Sequence, residues 1–249
     1  MIRTAPPTAW PSVIHQPPDP VSQIAKKQVF PNSCGAAALL CAAKELGVDK
    51  IPVLTGSMSE HLGVDTLELD NRCESDLYRI TSGCTTVRHG QTDLEQAGYS
   101  MPDSLVIAGR LLGLDMKVEK NPGMLVDGLN WLYPTIENKL RGIGCPIDLP
   151  GPALDSNEVK LEAMAVSCVG LPIGLHWVVQ RADGSYMDPA TGENQKNFSA
   201  LNNRLKKAAG RALGYYPSGI SIVAKLAPFN TGVKAGSQPY AGPPPLNWF

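Results

Sequence analysis

Apolar and polar positions follow helical spacing in the first half of the chain and strand spacing in the second. Residues 34–46, "CGAAALLCAAKEL", form a nearly continuous small-apolar run of a length that predicts a buried helix. Asn32 or Ser33 stands at its N-cap, Pro31 fixes the approach and Gly47 ends it. Residues 48–100 are polar and weakly periodic, which predicts short helices and loops. Asp103 is placed to cap a helix over "SLVIAGRLLG" that closes at Gly113, with a short strand, "DMKVE", behind it. "GMLVDGLNWL" and "PTIENKLRG" read as two helical pieces split at Pro134.

Further along, β-formers take over. "EVKLEAMAVSCV" fits a helix or a strand, whereas "LHWVVQRADGSYMDP" predicts a hairpin turning at Asp183-Gly184. "FSALNNRLKKA" predicts a helix whose basic face (Arg204, Lys206, Lys207) reads as solvated, and "GISIVAKLA" a last strand. Helices first and antiparallel strands later predict an α+β fold. Prolines cluster at both ends, so residues 1–21 and 229–249 read as extended tails flanking one folded domain at 22–228. Trp248 and Phe249 are the tail residues suited to dock on that domain.

Composition narrows the partners. With 249 residues, 43% apolar and 18% charged, the chain has material for a large core. A net charge of -1 gives no electrostatic reason for nucleic acid or an acidic membrane as a partner. No apolar run reaches the ~18 residues of a membrane span, and "MIRTAPPTAW" lacks the apolar region of a signal peptide. The expectation is a protein made in the cytoplasm, with any export by a signal-independent route. Six cysteines are too few for a disulfide scaffold. Cys73 with Cys84, and Cys145 with Cys168, are close enough in sequence to pair, and His89 near the first pair raises a metal site. The spacing contains no C-x-x-C element, so reduced thiols, no metal and no cofactor are expected.

Candidate chemistry starts at Cys34. A first-turn position exposes it to unpaired backbone N–H groups and the helix dipole, which favour a thiolate, and Gly35 leaves the approach to sulfur open. A thiolate nucleophile needs a general base. Of four histidines, His15 lies in the proline-rich tail, and His61 and His89 lie in polar stretches without apolar flanks. His176 sits on a strand between Leu175 and Trp177. Asp188, twelve residues on and across the turn, can accept the second imidazole N–H. A two-residue turn would set Asp188 opposite Val179, on the wrong face. A three-residue loop of Ala182, Asp183 and Gly184 sets residue 188 opposite residue 178, diagonal to His176 on the same face. The triad therefore predicts the longer loop. Gln28, six residues before Cys34, can bring its side-chain amide back beside the Cys34 N–H as a second oxyanion donor.

Gln28 ahead of Cys34-Gly35 at a helix start, then His176 on one strand and Asp188-Pro189 on the next, resembles the papain-like cysteine peptidases. Within these, "NSCGAAALLCAAKELG" and "HWVVQRADGSYMDPATG" are similar to the bacteriocin-processing peptidases, which cut after a double glycine, and to related bacterial effector proteases. "GYSMPDSLVIAGRLLGL" is loosely similar to their intervening helices. The resemblance implies a papain-like fold with the catalytic helix packed on an antiparallel sheet. It also implies peptide-bond hydrolysis through a thioester: Cys34 as nucleophile, His176 as base, Asp188 as orienter, Gln28 as oxyanion donor, and small residues before the cut. No transporter segment follows, and residues 48–100 have no counterpart, which leaves the substrate open. The same fold serves deamidases, transglutaminases, acyltransferases and peptidoglycan amidases. A non-catalytic peptide-binding module is the remaining reading, opposed by four competent residues at the catalytic positions. Stand-alone bacterial enzymes of this type resemble toxins and effectors delivered into other cells, which implies a protein substrate and a neutralising immunity or inhibitor protein.

Overall fold

Helix α1 (Cys34–Glu45) is buried at every residue from Cys34 to Ala43. A helix apolar on all sides has to be covered on all sides, and the rest of the fold does this. The structure, a computed structural model, describes residues 24–54, 61–83, 87–88, 91–122, 135–151 and 153–228. Gly47 ends α1 as expected, taking φ 83° so that the Val48 N–H returns to the Ala43 carbonyl at 2.9 Å.

The polar stretch is more ordered than its composition predicts. Strands β1 (Lys50–Leu54) and β2 (His61–Thr66) pair antiparallel, and helix α2 (Asn71–Thr81) follows. Asp70 caps α2 by accepting from the Cys73 N–H at 2.8 Å. The buried side of α2 is Cys73, Glu74, Leu77, Tyr78 and Thr81. That stripe has helical spacing, but Glu74 and Thr81 in it are polar, so hydropathy alone does not show it. Short strands β3 (Val87–Arg88) and β4 (Gln91–Thr92) and a 3₁₀ turn at Leu94–Gln96 complete the region.

Helix α3 (Pro102–Leu111) begins earlier than expected. Met101 is its cap position and Pro102 opens the helix, where a missing N–H costs nothing; Asp103 lies inside the first turn. Strand β5 (Leu114–Lys120), helix α4 (Ile136–Gly142) and strand β6 (Ile147–Asp148) come next. The helical piece expected at 123–132 and both tails lie outside the described residues. The ambiguous segment is strand β7 (Val159–Cys168), followed by β8 (Leu171–Arg181), β9 (Tyr186–Asp188), β10 (Glu193–Gln195), helix α5 (Phe198–Ala209) and β11 (Leu213–Leu226). On α5, Lys206 and Lys207 are exposed as expected, while Arg204 pairs with Glu193 at 2.6 Å. Strand β11 starts earlier than expected and shifts register between Pro217 and Ser221, where proline lacks a ladder donor.

Seven strands form one sheet in the order β10-β9-β8-β7-β11-β5-β6, antiparallel except for the β5–β6 pair. One face carries α1, with Leu161, Ala163, Trp177 and Val179 in its core. The other face carries α5, whose Leu201 packs with Met164, Val178, Tyr186 and Tyr215. This is the α+β architecture of a papain-like fold. Arg181, at the end of β8, locks sheet to helix by a buried ion pair with Glu45 at the end of α1 (2.6 Å).

Candidate active site

Cys34 is the first residue of α1 and is 2% exposed. Neither residue before it caps the helix with its side chain. The Ser33 hydroxyl donates instead to Glu74 Oε1 (2.6 Å), and the Asn32 amide donates to the Ala97 carbonyl (3.0 Å). Without a capping side chain, the first N–H groups of α1 keep the partial positive charge of a helix start. Gly35 has a packing reason to be glycine. It is buried, and a Cβ there would lie 2.4 Å from Ser100 Cβ and 3.1 Å from the Trp177 ring. Glycine lets α1 seat against these two residues. Trp177 is in the core, its indole N–H donating to the Ser100 carbonyl at 3.0 Å.

The hairpin adopts the longer loop. Val179 pairs with Met187 and Gln180 with Tyr186, a register that continues to put residue 178 across from 188. Gly184 takes φ 80° and donates to the Arg181 carbonyl, and the Ser185 N–H binds the Asp183 carboxylate. His176 and Asp188 therefore project to one side, and His176 Nε2–H donates to Asp188 Oδ1 across 2.7 Å. Both are buried, at 7% and 0% exposure. Asp188 Oδ1 also accepts from the Ala190 N–H at 2.9 Å, so the carboxylate is fixed by its own turn.

With Nε2 engaged by Asp188, Nδ1 is the ring nitrogen left for Cys34. Burial opposes charge on His176, but the neighbouring Cys34 and Asp188, through charge and hydrogen bonds, outweigh it and raise the imidazole to about 10. The imidazole is thus held in its protonated form beside Cys34.

Tyr215 is a site residue that hydropathy and spacing did not reveal. Its ring stacks on His176 (centroids 5.4 Å apart, planes 10° apart), and its hydroxyl donates to Asp188 Oδ2 at 3.3 Å. Burial first, then Asp188, pushes its phenol well above the ordinary range, so it remains a donor. It reaches His176 only because β11 lies beside β7, and no local pattern encodes that neighbourhood.

Gln28 is on the loop leading to Cys34, but its amide is turned inward. Nε2 donates to the Phe30 (2.8 Å) and Pro31 (2.9 Å) carbonyls, and Oε1 is buried without a hydrogen-bond partner. Of the other histidines, His61 lies on β2, while His15 and His89 fall outside the described residues, as does Cys84. Cys34, Cys41, Cys73, Cys145 and Cys168 are free thiols, so Cys145 and Cys168 are not paired. Among the described residues no group of three His, Cys, Asp or Glu is placed to hold a metal, and no helix is long and apolar enough to cross a membrane.

Comparison with known proteins finds a cysteine protease family. The family model described as "Invasion plasmid antigen J, cysteine protease" matches residues 26–227. A relative, "Cysteine protease IpaJ" of Shigella flexneri, is 51% identical over 200 residues, covering 80% of this chain and 77% of that protein.

Proposed function

The chain belongs to the invasion plasmid antigen J family of cysteine proteases, and from that premise we propose that Cys34, His176 and Asp188 are its catalytic triad. The observation that carries the reading is the buried His176–Asp188 bond of 2.7 Å beside the thiol at the start of α1. Cys34 Sγ attacks the carbonyl carbon of the scissile bond, and the carbonyl π electrons move to oxygen. His176 gives its Nδ1 proton to the leaving amine as the C–N bond breaks, leaving a thioester. His176 then takes a proton from water, whose oxygen attacks the thioester carbon, and the sulfur leaves as thiolate while the imidazolium is restored. Asp188 holds the ring orientation throughout.

The oxyanion forms at the start of α1, where the Cys34 N–H and the helix dipole stabilise it. Gln28 completes the hole by turning one amide N–H from a loop carbonyl toward the oxyanion. The cut falls after small residues, a glycine pair in the reading that follows from the double-glycine peptidases. This preference rests on resemblance. An apolar cleft lined by Tyr99 and by Leu175 and Trp177, the residues that flank His176 on β8, among others, supports a competing preference for an apolar residue. In its biological role the protein is an effector delivered into another cell, acting on a protein there, with an immunity protein where the producer shares the target.

Cys34→Ala and His176→Ala test the triad. Each should abolish hydrolysis while leaving the circular dichroism spectrum unchanged, and a mutant that keeps a substantial fraction of kcat removes its residue from the mechanism. A peptide library varied at the two positions before the cut tests specificity. Selection of Leu or Phe with Gly-Gly left intact would replace the glycine reading by occupancy of the apolar cleft.

A further inference from the structure

Behind the loop that carries Gln28 and Cys34 lies a buried ion pair that the chemistry above does not use. Lys26 and Glu74 are 7% and 0% exposed, and Lys26 Nζ is 2.5 Å from Glu74 Oε2. A buried charge pair is generally no more stabilising than apolar side chains of the same volume, so stability alone does not account for it. The second carboxylate oxygen does. Glu74 Oε1 accepts from the Val29 N–H at 2.8 Å and from the Ser33 hydroxyl at 2.6 Å. Val29 follows Gln28, and Ser33 precedes Cys34. Lys26 Nζ in turn donates to the Lys27 carbonyl (3.1 Å) and to Asn71 Oδ1 at the start of α2 (3.2 Å).

We propose that Glu74 is the positioning residue of this active site: anchored by Lys26, its Oε1 fixes Val29 and Ser33 and so sets where Cys34 and Gln28 stand relative to His176 and Asp188. The inference rests on Cys34 being the nucleophile. The opposite side of the same loop is tied to the aspartate turn, through the Gln28 N–H on the Pro189 carbonyl (2.8 Å) and the close packing of Lys27 on Gly192. Glu74 supplies the other half of this clamp. Displacing a reacting group by about 1 Å can cost on the order of a hundredfold in rate, so a polar anchor with two directed bonds does what an apolar contact cannot.

Two double variants separate position from charge. Lys26→Met/Glu74→Gln and Lys26→Met/Glu74→Met both remove the ion pair, but only the first keeps a side-chain oxygen for Val29 and Ser33. The measurements are the rate of Cys34 alkylation by iodoacetamide over about pH 5 to 9, and kcat and KM on a peptide the wild-type enzyme cleaves. The Gln double should stay within about threefold of wild type, while the Met double should lose about tenfold or more in kcat and labelling rate with little change in KM. Equal rates in two folded doubles would overturn the proposal. Should the Met double fail to fold, Ser33→Ala removes one of the two bonds. It should lower kcat severalfold at unchanged KM, Ser33→Thr should restore it, and a wild-type kcat in Ser33→Ala would equally overturn the proposal. Failure of the nucleophile reading looks different, because Cys34→Ala would then keep turnover.

Discussion

The backbone N–H of Gln28 donates to the carbonyl oxygen of Pro189 across 2.8 Å. This bond joins the segment that leads to the thiol with the turn that holds the aspartate, although the two are far apart in sequence. The spacing of the site is therefore set by main chain as well as by side chains.

Gly192 guards that junction. It takes φ 71°, and a Cβ there would lie 2.7 Å from the Lys27 nitrogen and 2.8 Å from Lys27 Cβ. Gly192→Ala should push the two segments apart and strain a left-handed position, costing about 1–3 kcal/mol of stability and about tenfold in kcat. Thermal melting and peptide hydrolysis measure the two effects. A variant that melts lower but keeps full kcat would show that the junction serves only the fold.

His176 titration should depend on Cys34. Its imidazole is raised from an ordinary 6.5 to about 10, with burial opposing and Cys34 the leading favourable contribution. Because the folded value lies above the unfolded one, this stabilisation is full below pH 6.5 and is lost as pH rises through about 10. In Cys34→Ala burial remains and its leading counterweight is gone, so the ring pKa should fall. NMR titration of the His176 ring reads this directly, and a ring still titrating near 10 in the mutant would contradict the coupling.

Thiol reactivity should single out Cys34. Burial pushes the Cys41 thiol up to about 12 and raises Cys73 and Cys145 as well, whereas Cys34 faces an imidazolium at a helix start. Near neutral pH, iodoacetamide should modify Cys34 about tenfold faster than those three. Peptide mass spectrometry gives the order, and equal labelling of Cys41 would place the reactive thiol elsewhere.

Tyr215 should contribute in two separable ways. Tyr215→Phe keeps the ring stacked on His176 and removes only the 3.3 Å bond to Asp188, so kcat should fall about three- to tenfold. Tyr215→Ala removes the stack as well and should fall further. Identical kinetics for Phe and wild type would assign the residue to packing alone.

Local sequence was enough for the parts of this protein that depend on neighbours in the chain. The apolar run from Cys34 and the glycine at 47 specify a buried helix with a cysteine in its first turn. At the hairpin local residues allowed two registers, and the requirement that Asp188 share a face with His176 selected the longer loop of Ala182, Asp183 and Gly184 that the structure adopts. Tertiary structure alone decided the rest. Helix α2 was hidden because its buried stripe includes Glu74, whose burial is permitted by Lys26 and by loop donors that no pattern of hydropathy could bring beside it. Tyr215 meets His176 through strand order, and Gly35 is small because Ser100 and Trp177 arrive from distant segments. Contacts of that kind form when separate elements pack, so each depends on the whole fold and leaves no periodic trace in the chain that makes it.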